Sequence, residues 1–255
     1  MDKEAVILVE ELHSSFDGLP VLSGVSFTVL KGEVTVILGG SGSGKTTLLK
    51  HLLSLFPIEQ GRVEILGRDL RTLREAEQVA LYLQMGVFYQ NGALLNSLTV
   101  AENVALPLEQ HTDLPRSVIE DLVRMKLGLV HLAHARHLYP SQLSGGMLKR
   151  AALARAIAMD PPLLFCDEPG AGLDPISLES LDRLILNLKN QLGMTIVMVT
   201  HEVSSILRVA DKIVFLDEGK VVFQGTVNEV LSSENQGVLD YFSVLRAGKD
   251  HGGKG

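Results

Sequence analysis

The segment Gly39-Gly40-Ser41-Gly42-Ser43-Gly44-Lys45-Thr46 constrains the fold of this chain more than any other stretch. It follows the apolar run Val34 to Leu38 and precedes Thr47-Leu48-Leu49-Lys50-His51-Leu52-Leu53, whose pattern is helical. Strand, glycine loop and helix in that order form one unit of a layered α/β sheet. A flexible Gly/Ser linker would not place Lys-Thr at this offset between the two elements. Further short β-branched runs support the sheet, at Val6 to Val9, Val63 to Leu66, Gly86 to Tyr89, Leu163 to Cys166, Thr195 to Thr200 and Ile213 to Leu216. Val214 to Gln224 reads as a hairpin around Asp217-Glu218-Gly219-Lys220.

Between Gly92 and Asp160 the strand signals vanish. Thr99-Val100-Ala101-Glu102 and Ser117-Val118-Ile119-Glu120 match the capping box that opens helices, so this block is expected to be a helical subdomain. In the second of these helices Val118, Ile119, Leu122 and Val123 share a face for packing, while Glu120, Asp121 and Arg124 look outward. Thr226-Val227-Asn228-Glu229 is a third capping box, and an amphipathic helix follows from about Val238 to Leu245. One domain over residues 1–246 is expected, containing a helical subdomain at 91–160, with a disordered Gly-rich tail at 247–255.

The glycine loop suggests phosphate chemistry. Glycines let the backbone curl until successive N–H groups point at phosphate oxygens, and the helix that follows adds its positive end. Lys45 is placed to neutralise the β- and γ-phosphates, Thr46 offers a hydroxyl to Mg²⁺, and Thr47 is counted with the phosphate contacts. Leu163-Leu164-Phe165-Cys166-Asp167-Glu168 is an apolar strand ending in two acids, at the carboxyl end where such sheets bind ligands. Asp167 is assigned to the metal through a water, and Glu168 to polarising the attacking water. Leu143-Ser144-Gly145-Gly146 precedes an Ala- and Leu-rich helix, and read alone it is an N-cap in which Ser144 satisfies free amides.

Composition narrows the partners. A formal net charge of -7 offers no general attraction to a phosphodiester backbone, so nucleic acid is not expected as a partner. The lone Cys166 rules out a disulfide framework. Met1-Asp2-Lys3-Glu4 carries acids where an export leader carries basic residues, and no run reaches the roughly 18 apolar residues of a membrane span. His131, His134 and His137 have helical spacing but lack a fourth metal ligand, which favours a solvated face.

Taken together, the glycine loop, Leu143-Ser144-Gly145-Gly146, Asp167-Glu168, Gly172-Leu173-Asp174-Pro175 and Thr200-His201-Glu202 resemble ABC-transporter nucleotide-binding domains in order and spacing, over nearly the whole chain. The resemblance implies a P-loop NTPase fold with a central mixed sheet, an antiparallel β subdomain and a helical subdomain. It also implies that Phe16 stacks on adenine, that Gln90 links metal and water to a membrane partner, and that His201 contacts the γ-phosphate. Ser144, Gly145 and Gly146 would serve the ATP of a second copy, with Asp174 at the seam, so a homodimer is expected. The implied cofactors are ATP and Mg²⁺. The implied location is the cytoplasmic face of the inner membrane, held there by permease subunits.

Within the family, Gln90-Asn91-Gly92-Ala93-Leu94, Glu102 to Leu108 and Leu143 to Met147 look most like the Mla-type, MCE-associated phospholipid-transport ATPases. A lipid cargo and an MCE-type lipid-binding partner follow from that narrower likeness. The alternatives are lipoprotein release, small-solute transport, or a soluble ABC protein without a transport role. Two departures from the family pattern stand out: Met147 replaces the glutamine usual after the signature, and Gly170-Ala171 stands where Thr-Ser is common.

Overall fold

The protein is described here by a computed structural model covering residues 4–249, with side chains to Phe242. It contains two compact units, one made of residues up to 74 together with those from 199 onward, the other of residues 75–198.

The first unit opens with β1 (Ala5–Phe16) and β2 (Leu19–Leu30), an antiparallel hairpin. Its turn, Asp17-Gly18, has positive φ at both residues (50° and 77°), the twist that tight hairpins require. The sequence reading did not include β2, because Ser23, Gly24, Ser26 and Thr28 dilute its apolar signal. Its Leu22, Val25, Phe27 and Val29 are nevertheless buried, so one face of the strand is core. After β3 (Val34–Gly39), every residue of which is buried, the glycine loop leads into α1 (Lys45–Leu52). Then β4 (Gln60–Ile65) and β5 (Arg68–Asp69) complete an antiparallel sheet in the order β2-β1-β4-β5.

The second unit begins with α2 (Glu75–Tyr82) and β6 (Met85–Phe88), followed by α3 (Val100–His111). The Thr99–Glu102 capping box forms as expected. The Ser117 box does not form: α4 (Arg116–Leu129) starts one residue before Ser117, after an N-cap at Pro115 that makes no side-chain cap bond. On α4, Ile119 and Val123 are buried and Leu122 partly so, but Val118 is 39 % exposed and leaves the expected apolar stripe. Two short 3-10 turns, Ala133–Ala135 and Pro140–Gln142, lead to α5 (Gly145–Ala156).

Next come β7 (Leu163–Asp167), α6 (Pro175–Leu192) and β8 (Thr195–Val199). The strands lie in the order β8-β7-β6, and β6 runs parallel to β7 with Phe88 opposite Cys166. Their carboxyl ends therefore emerge side by side, which brings the residues after Phe88 and after Cys166 to one edge of the sheet.

The chain then returns to the first unit through α7 (Val203–Val209), β9 (Lys212–Asp217) and β10 (Lys220–Gly225). The expected hairpin is present, with Glu218 and Gly219 at φ 43° and 75°. β9 runs parallel to β3 and antiparallel to β10, which makes this sheet mixed. Asp211 fixes the register at both polarities: its carboxylate accepts from the Val34 N–H at 2.8 Å and its own N–H donates to the Val34 carbonyl at 2.9 Å. The Thr226 capping box opens the short α8 (Val227–Leu231), and α9 spans Gln236–Lys249. The remainder of the Gly-rich tail, 250–255, lies outside the described residues. Among the described residues no helix is long and apolar enough to cross a membrane.

Candidate nucleotide site

In the first unit the glycine loop is held in shape by close backbone approaches. A side chain at Gly39 would stand 2.0 Å from the Leu216 carbonyl oxygen and 2.7 Å from Ser43 Oγ, so only glycine fits. At Gly44, φ is 100° and a Cβ would meet Leu22 Cδ2 at 2.7 Å. Gly44 is also the N-cap of α1 and offers no side-chain cap to the amides of the first turn, an arrangement that suits an anion. Gly40, Ser41 and Gly42 are exposed, whereas Ser43 is buried and its N–H donates to the Gly40 carbonyl at 3.3 Å.

Lys45 folds over the loop, its Nζ donating to the carbonyls of Gly39 at 2.9 Å and Gly40 at 2.7 Å. The ammonium thus sits over the curl where phosphate oxygens would lie. Thr46 is exposed on the first turn of α1, and Thr47 beside it is half-buried. Phe16 ends β1 with its ring 45 % exposed, backed edge-on by Phe56 at a centroid distance of 5.3 Å. That leaves a face free for stacking. His201 is exposed, and its carbonyl accepts from the Tyr241 hydroxyl at 3.4 Å.

The second unit gathers the acidic half of the expected machinery. Asp167 closes β7, and Glu168 follows with φ 45°, a left-handed backbone uncommon without glycine that turns the chain sharply out of the strand. Burial raises the Asp167 carboxyl above its usual range, Glu168 raises it further, and Lys149 pulls it down. Cys166 beside it is fully buried, and its thiol is pushed far above the usual value by that burial. Gln90, exposed just beyond β6, accepts at its carbonyl from Lys149 Nζ. Burial lowers the Lys149 ammonium, with Glu168 and then Asp167 acting in the opposite direction. The structure therefore brings Gln90, Asp167 and Glu168 together, and adds Lys149, which the sequence reading passed over as one more residue of a helix.

Ser144 caps α5, its hydroxyl accepting from the Met147 N–H at 3.3 Å. A Cβ on Gly145 would lie 3.9 Å from Leu173, and one on Gly146 3.8 Å from Ser177 Oγ, so the turn rests on the segment around Asp174. Asp174 caps α6, accepting from the N–H groups of Ile176 and Ser177 at 3.0 Å each. Hydrogen bonds from Ser177 and Ile176 hold its carboxyl below the usual range. Ser144 and Asp174 thus both have local structural work as caps. Among the described residues no group of three or more His, Cys, Asp or Glu side chains is arranged to hold a metal.

A family model described as "ABC transporter" matches residues 22–171. The chain is 41 % identical over 221 residues to the intermembrane phospholipid transport system ATP-binding protein MlaF of Haemophilus influenzae, covering 87 % of this chain and 84 % of that one. It is 38 % identical over 244 residues to the methionine import ATP-binding protein MetN 2 of Rhodopseudomonas palustris, covering 95 % of this chain and 64 % of that one. Among solved structures, cbiO1 from Clostridium perfringens, part of the ABC transporter complex cbiONQ, superposes with a TM-score of 0.85 at 28 % identity and 98 % coverage of both chains. The ATP-binding cassette MJ0796, a dimer in a post-hydrolysis state bound to ADP and Pi, gives 0.79 at 28 % identity, covering 87 % of this chain and 98 % of that one. The mixed sheet, antiparallel sheet and helices described above are the ABC-type P-loop fold. On the strength of that fold, of the loop that curls beneath Lys45 and of a family match spanning more than half its length, this chain belongs to the ABC transporter ATP-binding family and is an ATPase.

Proposed function

We propose that two copies of this chain bind MgATP at their shared interface and, by closing and opening, drive a membrane permease that moves phospholipid. The reading of the site rests on one observation above all: a loop only glycine can form at Gly39, followed by an α1 N-terminus with no side-chain cap and covered by Lys45. Lys45 then draws in the β- and γ-phosphates, Phe16 stacks on adenine, and His201 contacts the γ-phosphate. Glu168 orients and polarises the attacking water. Ser144, Gly145 and Gly146 complete the site of the other copy, with Asp174 at the seam.

Thr46, Gln90 and Asp167 offer a hydroxyl, an amide oxygen and a carboxylate, an all-oxygen set that suits a hard cation. That few-ligand set fits Mg²⁺ arriving on the nucleotide with most of its waters, where a cage of carboxylates would not. Held by these residues, Mg²⁺ would supply positive charge to the phosphate oxygens.

The MlaF likeness over 84 % of that protein's length supports a lipid cargo, and with it an MCE-type partner. The match to MetN 2, which covers more of this chain, favours a small solute as the second reading. In either case the chain works at the cytoplasmic face, peripheral through its permease, and its net negative charge speaks against nucleic acid.

The dimer reading is tested with Glu168→Gln: it binds ATP normally and runs as a dimer on size-exclusion chromatography in MgATP. A monomer under those conditions contradicts the reading. The cargo is tested by purifying the chain with its permease, reconstituting the complex, and comparing ATP-dependent phospholipid exchange with methionine uptake. Uptake without exchange selects the second reading.

A further inference from the structure

Lys149 lies on the second turn of α5 with only 6 % of its surface exposed. Burying an ammonium is costly, and an apolar side chain of similar length would anchor α5 at lower cost if packing were all that mattered. What surrounds the ammonium is therefore informative. It donates to the Gln90 carbonyl and stands 5.9 Å from the centre of the Phe88 ring, and the charges of Glu168 and Asp167 work against the lowering of the ammonium by burial. These neighbours come from the ends of two adjacent parallel strands, β6 and β7.

A second basic residue of the same helix reinforces the arrangement. Arg155 donates to the carbonyls of Ala93 at 2.7 Å and Gly92 at 3.0 Å. Gly92, at φ 72°, lies so close to α5 that a Cβ there would meet Leu148 at 2.9 Å. The loop after β6 is thus held to α5 through backbone carbonyls at Gln90, Gly92 and Ala93. These contacts are to main chain, so they fix the path of the loop's backbone against α5 rather than the rotamers of its side chains.

We propose that Lys149 is a positioning residue for ATP hydrolysis, holding the Gln90 backbone at the end of β6 in place beside the end of β7, where the Asp167–Glu168 pair lies. The proposal rests on the reading of Gln90, Asp167 and Glu168 given above. Lys149 has no contact with nucleotide in this account and acts through those three residues. Its positive charge also offsets the repulsion between the two adjacent carboxylates.

The test uses the purified full chain and three substitutions: Lys149→Met, which removes donor and charge, Lys149→Gln, which keeps a donor, and Lys149→Arg, which keeps both. Steady-state ATPase, affinity for ATP and thermal melts are measured for each. The expected result is a kcat lowered about tenfold or more in Lys149→Met and Lys149→Gln with KM for ATP within about twofold of wild type, and most of kcat regained in Lys149→Arg. Wild-type kcat in both neutral variants overturns the proposal. So does a parallel loss of ATP binding and folded protein in all three, which would give the residue to the fold alone. Should Glu168→Gln keep full turnover, the underlying reading of the site fails instead, whatever the Lys149 variants do.

Discussion

The backbone N–H of Gly219 donates to the Ser43 carbonyl at 3.2 Å, so the β9–β10 turn is tied to the glycine loop. The Gly219 carbonyl in turn accepts from the Ser23 N–H at 2.8 Å, tying the same turn to β2. Gly219 has φ 75°, and a Cβ there would stand 2.3 Å from the Val21 carbonyl oxygen.

Gly219→Val must therefore move the turn away from Ser43. Strain of roughly 1–3 kcal/mol at such a position, passed to the loop, weakens ATP binding by about tenfold. Isothermal titration with ATP checks this, and unchanged affinity would show that the loop holds its shape without this tie.

A second prediction concerns stability alone. Lys126 is fully buried in α4 and forms an ion pair with Asp160, whose side chain remains 59 % exposed. Asp160→Ala takes that carboxylate from a buried ammonium and is expected to cost roughly 2–3 kcal/mol in urea unfolding. Lys126→Met removes the charge as well and is expected to cost less, because a well-packed apolar side chain avoids the desolvation penalty.

The cap at Asp174 should show in the acid range. Its carboxyl is held below its ordinary value by hydrogen bonds from Ser177 and Ile176, so the folded state favours the ionised form. The resulting stability is present above the unfolded carboxylate pKa of about 4 and is lost as pH falls through the lower folded value. Melts of the wild type and Asp174→Ala, without nucleotide, should differ at neutral pH and converge as the pH drops below that range.

The parts legible in the sequence were those whose signal is local. The strand, glycine loop and helix around Gly39 to Lys45 occupy consecutive residues, as do the Thr99 and Thr226 capping boxes and the Glu218-Gly219 turn. β2 escaped because its small polar residues mask an alternation that only its pairing with β1 makes meaningful. The start of α4 was misplaced at Ser117 because Pro115, with its fixed φ, already serves as N-cap. Lys149 was illegible for a different reason: its hydrogen-bond acceptor is a backbone carbonyl 59 residues away, and main-chain acceptors leave no trace in residue identity. In the same way, Ser144 looked like a helix cap in isolation and is one in the structure, while the cap formed by Asp174 was not read from the sequence at all; a role of either toward a second copy is read only through the family likeness.

The central claim is that the loop from Gly39 to Thr46, with Lys45 folded over it, holds the phosphates of the ATP this chain hydrolyses. Lys45→Ala removes the ammonium that reaches over the Gly39 and Gly40 carbonyls without touching the core. Measured together on the folded variant, MgATP affinity should fall by about tenfold or more and turnover should be nearly abolished. Wild-type affinity and wild-type turnover in Lys45→Ala would contradict the account.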